Sequence, residues 1–221
     1  MSDATKTAFK RLLFSLSISL FSIIYEVLNN ARGEAKILAT IIDDKIPVIE
    51  WFSIPYLYWY AYVFIILLYF AIVNSKVYYK LIFSILFGMS ISYIIFLFFP
   101  TQIVRPEVLG DNVFGIILGL IYSSDNVYNC LPSIHVLNTL FASSFFVIYN
   151  RRKVVYVLFA VVSSVMIILS TVFIKQHYVL DVLTSVVLYV PIFIFFNKVF
   201  IFDNLSEKVK NIMCLNEYER G

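Results

Sequence analysis

Histidine is scarce in this chain: there are two, His135 and His177, in 221 residues. Charge is scarce as well, with Asp, Glu, Lys and Arg together making 14% of the sequence. That is too little polar surface to keep a chain of this length soluble. Glycine and proline number six each, and no Gly/Ser- or Pro-rich linker divides the chain, which argues against a second domain. The two cysteines, Cys130 and Cys214, fall on opposite sides of the topology derived below, so no intrachain disulfide is expected. The formal charge of +3 is small, and topology accounts for it, so it gives no reason to expect a nucleic-acid partner.

What is abundant is hydrocarbon. Hydrophobic residues make 61% of the chain, aromatics 18%, and the mean hydropathy is +0.89. A helix needs about 20 predominantly apolar residues to cross a bilayer. Six stretches are read as spans, at Leu12–Val27, Ile54–Val73, Leu81–Phe99, Ile134–Tyr149, Val154–Phe173 and Val179–Phe200. The first and fourth are short, and Asn138, Ser143 and Ser144 soften the fourth. The predicted fold is therefore all-α, a six-transmembrane helical bundle. It forms one integral membrane domain over 1–221, with a core at about 50–200 and a tail at about 203–221.

Six spans place both termini on one side. That side holds twelve of the 17 Lys and Arg residues, with Arg151-Arg152-Lys153 as its densest cluster. The other side holds five: Arg32, Lys36, Lys45, Arg105 and Lys175. The excess puts the termini in the cytoplasm, most simply of a plasma membrane. Residues 31–51 are read as an external segment lying on the membrane. Trp51, Tyr56, Tyr58, Trp59 and Tyr60 are read as interfacial anchors. The apolar run Val113–Ile121 is too short to span. It is either a wall for a lipid site or plain packing.

Alternation of sides carries His135, His177, Asp181, Arg105, Lys175 and Ser133 to the extracytoplasmic ends of the spans. The histidine spacing did not require this. His177 and Asp181 are four apart, so a helix puts them on one face, where the carboxylate can fix the imidazole tautomer. Alone, such a pair is as readily structural as catalytic. With His135 and the cations it has the parts of a phosphoryl-transfer site, which needs a nucleophile, an acid for the leaving oxygen and fixed positive charge. His177 can attack and His135 can protonate. Arg105, Lys175, the Ser133 hydroxyl and the Ser133–Ile134 amides can hold phosphate. A metal site built from two histidines and a carboxylate is the weaker reading, because Arg105 and Lys175 would repel the ion. A non-enzymatic transporter or scaffold is also weaker, since the ionisable groups lie at one interface and no repeat is visible.

These residues also follow known motifs. Arg105-Pro106, Pro132-Ser133-Ile134-His135, and Ser170-Thr171 followed after five residues by His177 and after three more by Asp181 resemble the type 2 phosphatidic acid phosphatase superfamily. That superfamily is related to the vanadium haloperoxidases. The strings around the motifs look like the branch of inositol phosphorylceramide synthase-type phosphotransferases. Three positions depart from the pattern: Phe98 replaces a lysine, Thr171 an arginine, and Ile134 a glycine. The resemblance implies a lipid phosphatase acting through a phosphohistidine on His177, or a phosphotransferase passing the group to an alcohol. It implies a phospholipid or lipid-phosphate substrate, no cofactor and no metal, with Lys175 in place of a missing cation.

Overall fold

The computed structural model describes residues 3–30, 34–106 and 110–199. It is helical almost throughout. The elements are α1 (Asp3–Leu28), α2 (Ile41–Lys45), α3 (Ser53–Val73), α4 (Ser75–Phe98), α5 (Val113–Ser124), α6 (Ile134–Tyr149), α7 (Val154–Phe173) and α8 (Val179–Ile194). The all-α expectation holds, and the strands among the described residues amount to one two-residue pair. Lys36–Ile37 (β1) pairs in parallel with Thr101–Gln102 (β2), and Gln102 bridges to Tyr128. The predicted tail at about 203–221 and Cys214 lie outside the described residues.

Among the described residues five helices, α1, α3, α4, α7 and α8, are long and apolar enough to cross a membrane. Their outward faces carry large apolar side chains such as Val155 and Val187, more than 70% exposed. Apolar faces this continuous have no counterpart on a soluble monomer and belong against lipid. The chain has the make-up of an integral membrane protein. The fourth predicted span is α6, whose 16 residues rise only about 24 Å. It is the enclosed helix, packed among α3, α4, α7 and α8. Enclosure explains its serines, which find partners on neighbouring helices. Ser143 Oγ lies 2.7 Å from the Tyr62 hydroxyl and 2.5 Å from Ser164 Oγ, and Ser144 Oγ lies 2.6 Å from the Tyr189 hydroxyl. Gly88 lets α4 approach this helix, since a Cβ there would come within 2.9 Å of Leu137 and Phe141.

The core runs along Tyr62, Ile66, Phe70, Ile82, Leu137 and Phe141. At one end of the bundle a second cluster packs Leu118 and Ile121 of α5 against Phe52, Tyr56 and Ile174. The apolar run at 113–121 is thus a short helix whose buried face packs against the bundle.

Candidate active site

The turn between α7 and α8 carries His177, and four separate segments brace it. Ile49 N donates to Phe173 O, and the Tyr122 hydroxyl to Ile174 O. The Tyr178 hydroxyl accepts from Val104 N, and Asp43 Oδ1 from Val179 N at 2.8 Å. Asp181, in the first turn of α8, accepts from the Tyr178 backbone N–H at 2.9 Å, as acidic residues near helix starts do. The same oxygen lies 3.3 Å from His177 Nδ1. Asp181 is buried and His177 about one-tenth exposed. With Nδ1 facing the carboxylate, Nε2 is the nitrogen left for chemistry.

Ser133 joins this turn to α6. Its backbone N–H reaches Asp181 O at 3.4 Å, and Ser185 Oγ donates to both Ser133 O and Asp181 O. Ser133 Oγ caps α6 by accepting from Val136 N. Of the two amides predicted to hold anion, that of Ser133 is therefore engaged, which leaves that of Ile134. His135 is the second residue of α6, and its ring centroid lies 6.3 Å from that of His177. Tyr56 stacks on it at 4.4 Å and 21°, and Trp59 lies at 4.1 Å. Two of the residues read as interfacial anchors thus hold a histidine. Aromatic residues at a span's start suit either role, and only the fold decides between them.

Arg105 is brought to the same turn because its loop pairs with 127–130: Ile103 N donates to Val127 O and Asn129 N to Thr101 O. Its guanidinium lies over the Tyr122 ring and donates to the carbonyls of Tyr122, Asp125 and Asn126. It also donates to Gln176 Oε1 at 2.6 Å. Arginine can only donate, so this contact fixes the Gln176 amide and turns its NH₂ elsewhere. Arg105 Nε and Gln176 Nε2 are both buried and without a hydrogen-bond partner. Two linked, unpaired donors beside His177 suit an oxyanion. Gln176 was not singled out in the sequence, although its place next to His177 was visible.

Lys175 goes elsewhere. Its ammonium donates to Asp43 O at 2.8 Å and Ile46 O at 2.7 Å, the carbonyls at the end of α2. Its backbone is in the left-handed region, φ 50°, and the two bonds hold that turn in place. Lys175 does not line the cavity shared by His135 and His177, and neither do Arg105 and Gln176; what separates them is that Lys175 has its partners on α2, whereas Arg105 Nε and Gln176 Nε2 have none. That cavity has a volume of about 380 Å³ and is also lined by Asp125 and Ile134. Cys130 is buried nearby, and burial pushes its thiol well above the usual range, as suits a packed residue and not a nucleophile.

Residues 111–202 match the family model of the PAP2 superfamily. No curated protein and no solved structure matches the chain. The match includes Ser133, His135, His177 and Asp181 and leaves out Arg105. The family is one of phosphatase- and phosphotransferase-type membrane proteins, and the helices described above suit that class.

Proposed function

We propose that this protein is a membrane-embedded lipid phosphatase that hydrolyses a phosphate ester through a phosphohistidine on His177. The observation that carries the reading is the placing of His177, oriented by Asp181 at 3.3 Å, across one cavity from His135. His177 Nε2 attacks phosphorus and the bond to the leaving alcohol oxygen breaks; burial lowers the His135 pKa to about 3, so His135 supplies that oxygen's proton only once the negative charge of a bound phosphate has raised it again. Water then attacks phosphorus while His135 takes one of its protons, the P–N bond breaks and inorganic phosphate departs. Asp181 holds the imidazole tautomer and balances the charge that forms on the ring. Arg105, the Gln176 amide and the Ile134 N–H stabilise the phosphoryl oxygens. Fixed donors and a cation do this without a metal. The site faces outside the cytoplasm if the charge bias sets the orientation.

A phosphotransferase differs only in the second nucleophile, a lipid alcohol in place of water. The cavity is larger than one phosphate, and this favours room for an acceptor. One experiment tests both. Purified protein is given labelled phospholipids with and without acceptor alcohols, and free phosphate and new lipid are both followed. Phosphate release that His177→Ala abolishes supports the phosphatase; product only with acceptor supports the transferase. Turnover retained by His177→Ala would sink both.

A further inference from the structure

The cavity beside the histidines carries charge of the wrong sign for phosphate. Its lining includes the acidic residues Glu26 and Asp125 and, among the described residues, no lysine or arginine. Aromatic rings supply much of the remaining wall: Tyr25, Trp59, Tyr60, Tyr93 and Phe96. Carboxylates among aromatic faces attract an organic cation, by direct charge and through the negative face of each ring.

Two further observations indicate a ligand and not a filled core. Asn138 and Asn129 both line the cavity at 1% and 4% exposure, and the Oδ1 of each has no hydrogen-bond partner. His135 Nε2 and Trp59 Nε1 are likewise buried and unpaired. Polar atoms left this way in a native interior call for an explanation, and a bound polar group provides one. The Asp125 carboxylate is also already fixed. Both of its side-chain bonds, from Tyr25 at 3.1 Å and Asn29 at 2.5 Å, fall on Oδ1. Arg105 meets only the backbone carbonyl of Asp125, so the guanidinium does not take up this carboxylate.

We propose that this cavity binds an organic ammonium group, held by Asp125 and Glu26 among the aromatic rings, so that a substrate phosphate on His177 and an amine head group are recognised together. The proposal rests on the phosphatase reading for the phosphate but not for the ammonium. A volume of about 380 Å³ takes a choline- or ethanolamine-sized head with its phosphate and excludes the acyl chains. The ammonium belongs either to the head group of the phosphate donor or to an amino alcohol acting as acceptor.

The test is binding to the full-length purified protein in nanodiscs, which needs no turnover. Trp51→Phe leaves Trp59 as the single tryptophan, so its emission reports on the cavity. Choline is titrated against 3,3-dimethylbutan-1-ol, its uncharged isostere, and against myo-inositol. The expected result is saturable choline binding at least about tenfold tighter than either neutral compound. Asp125→Asn and, followed by labelled choline, Trp59→Leu are each expected to weaken it by about the same factor. Tighter binding of glycerophosphocholine than of choline places the ammonium on the donor; equal binding places it on the acceptor. Equal affinity for choline and its isostere, tighter binding of inositol, or no saturable choline binding overturns the proposal. Choline binding by a protein that releases no phosphate would instead keep this proposal and reject the phosphatase.

Discussion

Asp125 is held at a cost. Burial pushes its carboxyl above the usual range, and the Tyr25 hydroxyl, the charges of Arg105 and His177 and the Asn29 amide pull it back only in part. A carboxyl whose folded pKa is raised contributes stability below its unfolded pKa and loses it as pH rises through the folded value. Wild-type protein should therefore melt lower at pH 8 than at mildly acid pH. Asp125→Asn keeps an acceptor for Tyr25 and Asn29 and removes the charge. It should melt higher than wild type at pH 8, with the gap closing on acidification. Glu26, His135 and His177 also line this cavity, so the gap between the two proteins, and not either curve alone, is the measurement. An Asn variant that melts lower at every pH would contradict the burial argument. For the catalytic pair, Asp181→Asn should cut turnover by roughly 10²–10⁴-fold while the protein stays folded, because the tautomer is lost. Gln176→Leu should cut kcat by roughly 10²-fold and weaken vanadate inhibition in parallel, as for losing one oxyanion donor. Unchanged vanadate inhibition would remove Gln176 from the phosphate site. The histidines, Asp181 and Arg105 could be singled out in sequence because ionisable residues are rare there and His177 and Asp181 are four apart. Gln176 and Asp125 were not, because what marks them is an unpaired amide and a shared cavity, and both depend on residues distant in sequence.

At the scale of elements, α2 is a five-residue clamp on the start of α8. Asp43 Oδ1 takes the Val179 N–H, while Lys175 returns two bonds to the end of α2. Asp43 Oδ2 closes the capping box with Thr40. Within the segment read as external, Asp43 and Ile46 have partners about 130 positions away, which no local pattern reveals. The clamp changes what Lys175 predicts. Its loss should loosen the His177 turn and not strip charge from a bound phosphate. Lys175→Gln should then lower the melting temperature and kcat together, leaving vanadate affinity nearly unchanged in the fraction that stays folded. Asp43→Ala, which touches the same clamp from the other side, should do the same, and the double variant should cost less than the sum of the two. A Lys175→Gln protein that melts normally but loses vanadate affinity would return the ammonium to the site.

At the scale of the whole molecule, hydropathy located the bundle and missed its plan. It places six apolar stretches, and each becomes a helix close to where it was predicted, because apolar length alone forces helix formation in lipid. It could not show that α6, at 16 residues too short to count as a clear span, would be the central one. A helix satisfied by Tyr62, Ser164 and Tyr189 reads in sequence as a weak span. What the bundle leaves open is its direction, and the positive charges settle that only by bias. The site end carries α5, where Ser123 is exposed; the opposite end carries the α6–α7 turn, where Arg152 is exposed. Asp125 lies near Ser123, but it is half-buried and holds Tyr25 and Asn29, so labelling there would report on unfolding as much as on side. In a background lacking Cys130 and Cys214, Ser123→Cys should react with a membrane-impermeant thiol reagent in intact cells. Arg152→Cys should react only after permeabilisation. Labelling of Arg152→Cys alone in intact cells would turn the bundle over and place the histidines, with any phosphate they release, on the cytoplasmic face.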